Sequence, residues 1–282
     1  MNIAAKMDEL ESWLEELGGV VIAYSGGVDS TFLAAMAHRT LGTRALAVTA
    51  ESAIYPTAET RRAEEIASQL SLRHRVIHTQ EIEREDFAAN TPLRCYHCKQ
   101  ELFTALFTVA AEESLQHVVD GQHADDANDF RPGAKAAREL GIQSPLAILG
   151  FSKDMIRSGA KTLGLPNWDK PPLPCLSTRF AYGMKLTHVR LEQVEDAETF
   201  LKQLGVGELR IRQHGNVARI EVSPQDYSLF IDPEVGPRIV DALKRRGYRY
   251  VTLDLEGFRS GSMNEELVQG GWTRERKRNS AP

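Results

Sequence analysis

The chain has 282 residues, 42% of them hydrophobic and 26% charged, with a formal net charge of −5. That length suits one large domain or two modest ones, and no apolar run approaches the ~18–20 residues that cross a bilayer, so a membrane is not an expected partner. The acidic balance speaks against nucleic acid as a partner, since such a footprint brings a basic surface.

Residues 1–18 read as an amphipathic acidic helix and not as a signal peptide, with Ile3, Met7, Leu10, Leu14 and Leu17 at helical spacing. A cytoplasmic location is the expectation. Three cysteines, an odd number, point to chemistry or metal and away from a disulfide framework.

The stretch Val20-Val21-Ile22-Ala23-Tyr24-Ser25-Gly26-Gly27-Val28-Asp29-Ser30 begins as a buried parallel strand, breaks at a Ser-Gly-Gly turn and enters a helix over 29–41. Such a turn presents unpaired N–H groups and the positive end of a helix dipole, which together hold a phosphate. Gly26 and Gly27 let the backbone come close to an anion, and Ser25 and Ser30 add hydroxyls. Asp29 is a candidate Mg²⁺ partner or helix cap. The rival is a tight turn with an ordinary cap. No Gly-Lys-Ser/Thr follows, so this is not the Walker pattern. The string resembles the PP-loop of the ATP pyrophosphatase superfamily, whose members cleave ATP to AMP and pyrophosphate. The resemblance implies ATP and Mg²⁺, with Ala23 in the nucleotide-binding set.

Strands are predicted over 44–50, at Val76-Ile77 and over 117–120, with a helix over 57–70 between the first two. This alternation implies right-handed βαβ units and a parallel sheet, with ligands at the carboxyl ends of its strands. Glu51 and Ser52 would then lie near the first loop; the rival is a solvated turn. Residues 80–92 read as irregular, and Arg94-Cys95-Tyr96-His97-Cys98-Lys99 leads into a helix to about 114. Asp120, Asp125 and Asp126 follow a strand end, where neighbouring carboxylates need a cation or hydrogen bonds to coexist. In PP-loop enzymes a Gly-x-x-x-Asp-Asp stretch here lies at the nucleotide, which implicates Gly121 and Asp125. Which of Asp125 and Asp126 faces inward is open at this stage. Residues 144–149 read as the start of the last sheet element, and 152–164 as a helix.

Four prolines and Trp168 within 165–174 exclude a helix or strand interior. The fold class expected is therefore α/β: an N-terminal parallel sheet with helices on both faces over 1–165, a Pro-rich crossover carrying Cys175 over 166–186, and a smaller α+β domain over 187–282. The last comprises a helix over 187–204 with apolar positions that include Val189, a hairpin about His214-Gly215-Asn216, a helix over 232–246 and a strand over 248–255. Arg210 and Arg212 share one face of their strand, where they offer a fork for phosphate; a solvated polar face is the equal rival.

Cys95 and Cys98 have the spacing of a redox pair or of two metal ligands. Three thiolates on a 4Fe–4S cluster leave one iron open to carry sulfide. Cys175 is alternatively a lone nucleophile, its thiol made reactive by an electropositive flank at Arg179.

The motifs Arg94-Cys95-Tyr96-x-Cys98-Lys99, Cys175-Leu176-x-x-Arg179-Phe180-x-Tyr182-Gly183, Arg210-x-Arg212-x-His214-Gly215, Ala218-Arg219-Ile220-Glu221-Val222 and 253–264 run nearly the whole length, in order. Together they resemble the LarE family. Its members adenylylate a carboxylate of pyridinium-3,5-biscarboxylic acid mononucleotide with ATP and Mg²⁺, then insert sulfur, on the way to the nickel-pincer cofactor of lactate racemase-type enzymes. The resemblance implies Cys175 as the sulfur-bearing nucleophile. It implies a 4Fe–4S cluster on Cys95, Cys98 and Cys175, because the family variant with all three holds one; another variant sacrifices the sulfur of the last Cys. It also implies Arg210 and Arg212 on a substrate phosphate, with Glu221, Arg94 and Lys99 as further binding residues, and a homo-oligomer. Two rivals are a tRNA-thiolating PP-loop enzyme and an ammonia-using ligase of the NAD or GMP synthetase kind, in which the thiols would be idle.

Overall fold

The computed structural model describes residues 3–128, 132–172 and 174–259. The chain divides into two compact units, Met1–Pro174 and Cys175–Pro282. The first is built on four parallel strands, β1 (Val20–Ala23), β2 (Ala45–Glu51), β3 (His74–His78) and β4 (His117–Val119), in the order β3-β2-β1-β4. β1 is central, with Val20 opposite Ala45 on one side and His117 on the other.

Both faces of this sheet are covered, which is why its strands are continuously apolar. Side chains alternate along β1. Val20 and Ile22 join one core with α1 (Ile3–Leu17), α2 (Val28–Leu41), α3 (Thr57–Gln69) and, from later in the chain, α8 (Lys153–Thr162). Val21 turns the other way, into a core with Leu46, Val48 and the Leu102, Phe103, Leu106 and Val109 stripe of α5 (Arg94–Glu112). The alternation of strand and helix read from the sequence is thus the observed α/β architecture.

Three segments differ from expectation. Residues 80–92 contain a helical turn at Glu81–Glu83 and the short helix α4 (Glu85–Ala88). The Cys95–Cys98 pair lies inside α5, on its first turns, and does not precede it. Residues 144–149 are not a sheet element. After α6 (Pro132–Glu139), the single bridge from Val119 to Gln143 extends the sheet, and Pro145–Ile148 is the short helix α7. Proline at its first position favours the helical turn, since the missing N–H is not needed there.

The second unit holds β5 (Leu209–His214), β6 (Val217–Val222) and β7 (Tyr250–Leu253), with α9 (His188–Gln203), α10 (Tyr227–Ile231) and α11 (Val235–Arg245). β5 and β6 are an antiparallel hairpin, and β7 runs parallel to β6. Leu201 and Ala197 of α9 and Ile239 and Leu243 of α11 pack on Ile211, Ile220 and Val222. Thr187 caps α9 by accepting from the Arg190 N–H, which fixes the helix start. Val189, expected in the core, is 73% exposed, because it falls outside the stripe formed by Leu191, Val194 and Leu201.

Candidate functional site

In the first unit the ends of β1, β2 and β4 adjoin, since β1 pairs with both others. Ala23, half-buried, ends β1, and Ser25-Gly26-Gly27 turns into α2. Gly27 is the N-cap residue, with no side-chain cap, so the first N–H groups of α2 are left for a ligand. Gly26 has φ of 66°, and a Cβ there would stand 2.9 Å from Ala63 Cα. Glycine is required on both counts. The turn is braced internally. Ser30 Oγ donates to the Gly27 carbonyl and accepts from the Ser25 N–H, each at 3.2 Å. Ser25 Oγ lies 3.2 Å from Ser30 Oγ.

Asp29 does not cap α2. Its two carboxylate oxygens are each held at 2.6 Å by Lys153 Nζ, at the start of α8. No motif marks Lys153; only the fold brings α8 to α2. Its backbone N–H donates to Asp125 Oδ2 at 2.8 Å. The loop after β4 can approach because residue 121 is glycine: a Cβ there would stand 3.0 Å from the Ser30 N. In that loop Asp126 is the buried residue, with a side chain 9% exposed against 56% for Asp125. Asp126 accepts from the His123 N–H, and Asp120 accepts from Gln122 and Ser144. Hydrogen bonds thus satisfy the three carboxylates. Ser52, at the end of β2, accepts from the Ile54 N–H.

Lys153, Asp125, Gly121 and the Ser25–Ser30 turn therefore form one constellation at the carboxyl edge. Arg94 and Lys99 have other partners. Arg94 is buried and donates to Asn90 Oδ1 at 2.7 Å. Lys99 Nζ lies 5.3 Å from the centre of the Phe103 ring. Cys95 is exposed, whereas Cys98 is buried with its sulfur 3.9 Å from Glu81 Oε1 and 3.8 Å from the Tyr55 hydroxyl. Burial raises the Glu81 carboxyl above the usual range.

The second unit carries a buried rack of charge. The strand register places Arg210 opposite Glu221 and Arg212 opposite Arg219, all on one face. The solvated-face rival is excluded: Arg210 is 6% exposed and Glu221 0%. Arg212 donates to Glu221 Oε2 and to the Thr178 carbonyl, and Arg219 to Glu221 Oε1. Arg179 meets Glu198 through two bonds of 2.9 and 3.0 Å, and Glu198 also accepts from the Ile211 N–H.

Arg210 makes no ion pair with a carboxylate among the described residues. It donates to the Leu209 carbonyl and faces the Phe258 ring at 5.0 Å. Burial, reinforced by Arg179, pushes its guanidinium down to about 10. A buried cation without a carboxylate is the mark of an anion site.

Cys175, half-exposed and a free thiol, heads the turn Leu176–Arg179. Its carbonyl accepts from Thr178 Oγ1 at 2.8 Å and from Arg179 Nη1 at 3.1 Å. The electropositive flank expected at the thiol is thus spent elsewhere, since Arg179 serves Glu198 and the Cys175 carbonyl. The turn is joined to β5 by the Phe180–Gln213 bridge. Of the last motif, residues 260–264 lie outside the described residues, as does the basic stretch 274–278.

A parallel sheet whose central strand feeds a Ser-Gly-Gly-Val-Asp-Ser turn defines a PP-loop ATP-using domain. In agreement, the asparagine synthase family model matches residues 19–125. The chain is 37% identical to the pyridinium-3,5-bisthiocarboxylic acid mononucleotide synthase of Lactiplantibacillus plantarum, over 95% of this chain and 97% of that one. It therefore belongs to the LarE family of ATP-dependent sulfurtransferases. It is also 40% identical to the uncharacterised protein slr1717 of Synechocystis, over 95% of this chain and all of the other. A more distant likeness, 26% over 82% of this chain, is to a glutamine-hydrolysing GMP synthase chain of Sulfurisphaera tokodaii, of which 66% is covered. No helix among the described residues is long and apolar enough to cross a membrane.

Proposed function

We propose that the protein adenylylates a carboxylate of pyridinium-3,5-biscarboxylic acid mononucleotide and converts it to a thiocarboxylate, a step in making the nickel-pincer cofactor. The carboxylate oxygen attacks the α-phosphorus of ATP, and pyrophosphate leaves. Sulfur then attacks the activated acyl carbon, and AMP leaves. The observation that carries this reading is Arg210, a buried guanidinium with no carboxylate partner among the described residues, on the same face as Arg212 and in the same unit as Cys175. It suits the phosphate of a nucleotide substrate. The Ser25–Ser30 turn is assigned to the phosphates of ATP, and Asp29 and Asp125 to Mg²⁺, which would compete with Lys153 for both carboxylates.

The sulfur is assigned to a 4Fe–4S cluster on Cys95, Cys98 and Cys175. The donor type suits it: three cysteine sulfurs, none in a disulfide, two of them on the first turns of a helix whose dipole favours thiolate. When bound, the cluster would supply sulfide to the acyl adenylate. The working form is assigned as a cytoplasmic homo-oligomer.

Anaerobic purification followed by iron, sulfide and absorption measurements tests the sulfur source. About four irons per chain, lost in Cys95→Ala, Cys98→Ala and Cys175→Ala alike, is the expected result. An iron-free protein whose Cys175 loses the mass of H₂S on turnover would overturn the cluster and establish the sacrificial route.

A further inference from the structure

We propose that Asn167, in the Pro-rich segment, is a positioning residue for ATP; the inference rests on the Ser25–Ser30 turn being the ATP phosphate loop. Asn167 is 1% exposed. Its Nδ2 uses both hydrogens on the loop, donating at 2.9 Å to the Gly26 carbonyl and at 2.9 Å to Thr31 Oγ1. Its Oδ1 is buried without a hydrogen-bond partner, so the donors alone set the orientation of the amide.

The residue before the turn is also tied to α3: the Tyr24 hydroxyl donates to the Ala63 carbonyl at 3.2 Å. Ala63 is the residue on which Gly26 packs. The turn is therefore gripped from beneath by Asn167, α2 and α3 together.

The consequence follows from peptide planarity. In a trans peptide the carbonyl of Gly26 and the N–H of Gly27 point in opposite directions within one plane. Drawing the Gly26 carbonyl inward onto Asn167 turns the Gly27 N–H to the opposite side, where it donates to the Ser25 hydroxyl in a long bond of 3.4 Å that a phosphate oxygen would replace. An aspartate would be nearly isosteric, but it would set a negative oxygen against the Gly26 carbonyl and release that plane. The same segment has a second anchor, the 2.6 Å pair between Lys170 Nζ and Glu59, which does not touch the turn. Cys175 follows a few residues along the chain, so the segment that supports the ATP loop also leads to the thiol.

The test is calorimetric titration of the full-length protein, wild type and variants, with Mg·ATP. Asn167→Asp is expected to weaken Mg·ATP binding at least tenfold. Its KM for ATP rises in step, while kcat at saturating ATP stays within threefold. Lys170→Met, which cuts the neighbouring anchor, keeps wild-type ATP affinity within twofold even if its melting temperature falls as far. Should Asn167→Asp show no cooperative melt, Asn167→Ser carries the same comparison. Wild-type affinity in the Asn167 variant, or an equal loss in Lys170→Met, overturns the inference alone. A wild-type protein that does not bind Mg·ATP overturns the ATP-loop reading, and the inference with it.

Discussion

Lys153 Nζ sits 2.6 Å from each carboxylate oxygen of Asp29, so the acidic residue of the phosphate loop is matched by a cation from a helix far along the chain. The pair sits where a nucleotide's phosphates and Mg²⁺ would compete for it, Lys153 for the former and Asp29 for the latter. Lys153→Met leaves Asp29 facing the phosphates unopposed. Its KM for ATP in pyrophosphate exchange should rise at least tenfold. Because both side chains are about a quarter exposed, the change in folding stability should stay under about 1 kcal/mol. A loss of stability without a change in KM would make the pair a structural brace.

Arg210 separates binding from stability. Removing a buried charge that has no carboxylate partner relieves desolvation, so Arg210→Met should melt no lower than wild type. Loss of charge-assisted bonds to a phosphate costs roughly 1.5–3 kcal/mol, which corresponds to about ten- to hundredfold in affinity for the mononucleotide. Melting curves and substrate titration check the two halves. A strongly destabilised variant would show that Arg210 is structural.

The Arg179–Glu198 pair behaves in the opposite way. Both side chains are buried and joined by two hydrogen bonds. Arg179→Met leaves the buried Glu198 carboxylate with the Ile211 N–H but no cation, at a cost of roughly 3–5 kcal/mol. Denaturant unfolding would show it as a fall in midpoint with little change in slope.

His74 supplies a pH dependence. Burial holds its imidazole below the usual 6.5, with Nε2 at 2.8 Å from the Thr49 hydroxyl. The unfolded chain therefore takes up this proton first. Stability is present above pH 6.5 and declines as pH falls through the depressed value. His74→Gln should lose less melting temperature than wild type between neutral pH and about pH 5, measured at constant ionic strength.

The first strand and its loop were legible in the sequence because periodicity and turn chemistry agree there: a β-branched run, a glycine pair, then an alanine- and leucine-rich helix. The Arg210–Arg212 face was legible as parity, yet its burial depended on pairing with Glu221 and Arg219 in the hairpin register. Residues 145–148 mislead because a short apolar run suits strand or helix alike, and polar Gln143 disguises the place where the sheet continues. Val189 misleads because an apolar residue at a helix start need not fall on the core stripe. Lys153 and Asn167 carry no local signal at all. Each acquires its role from a contact between segments more than a hundred residues apart, which no motif encodes.

The proposed reaction is adenylylation of a carboxylate followed by its thiolation through Cys175. The direct measurement is mass spectrometry of a single turnover with Mg·ATP and pyridinium-3,5-biscarboxylic acid mononucleotide. Wild type should release AMP and pyrophosphate and return a product in which sulfur replaces oxygen. Cys175→Ala should still form pyrophosphate but no thiocarboxylate. Thiocarboxylate formation by Cys175→Ala, or no AMP release by wild type, would contradict the account.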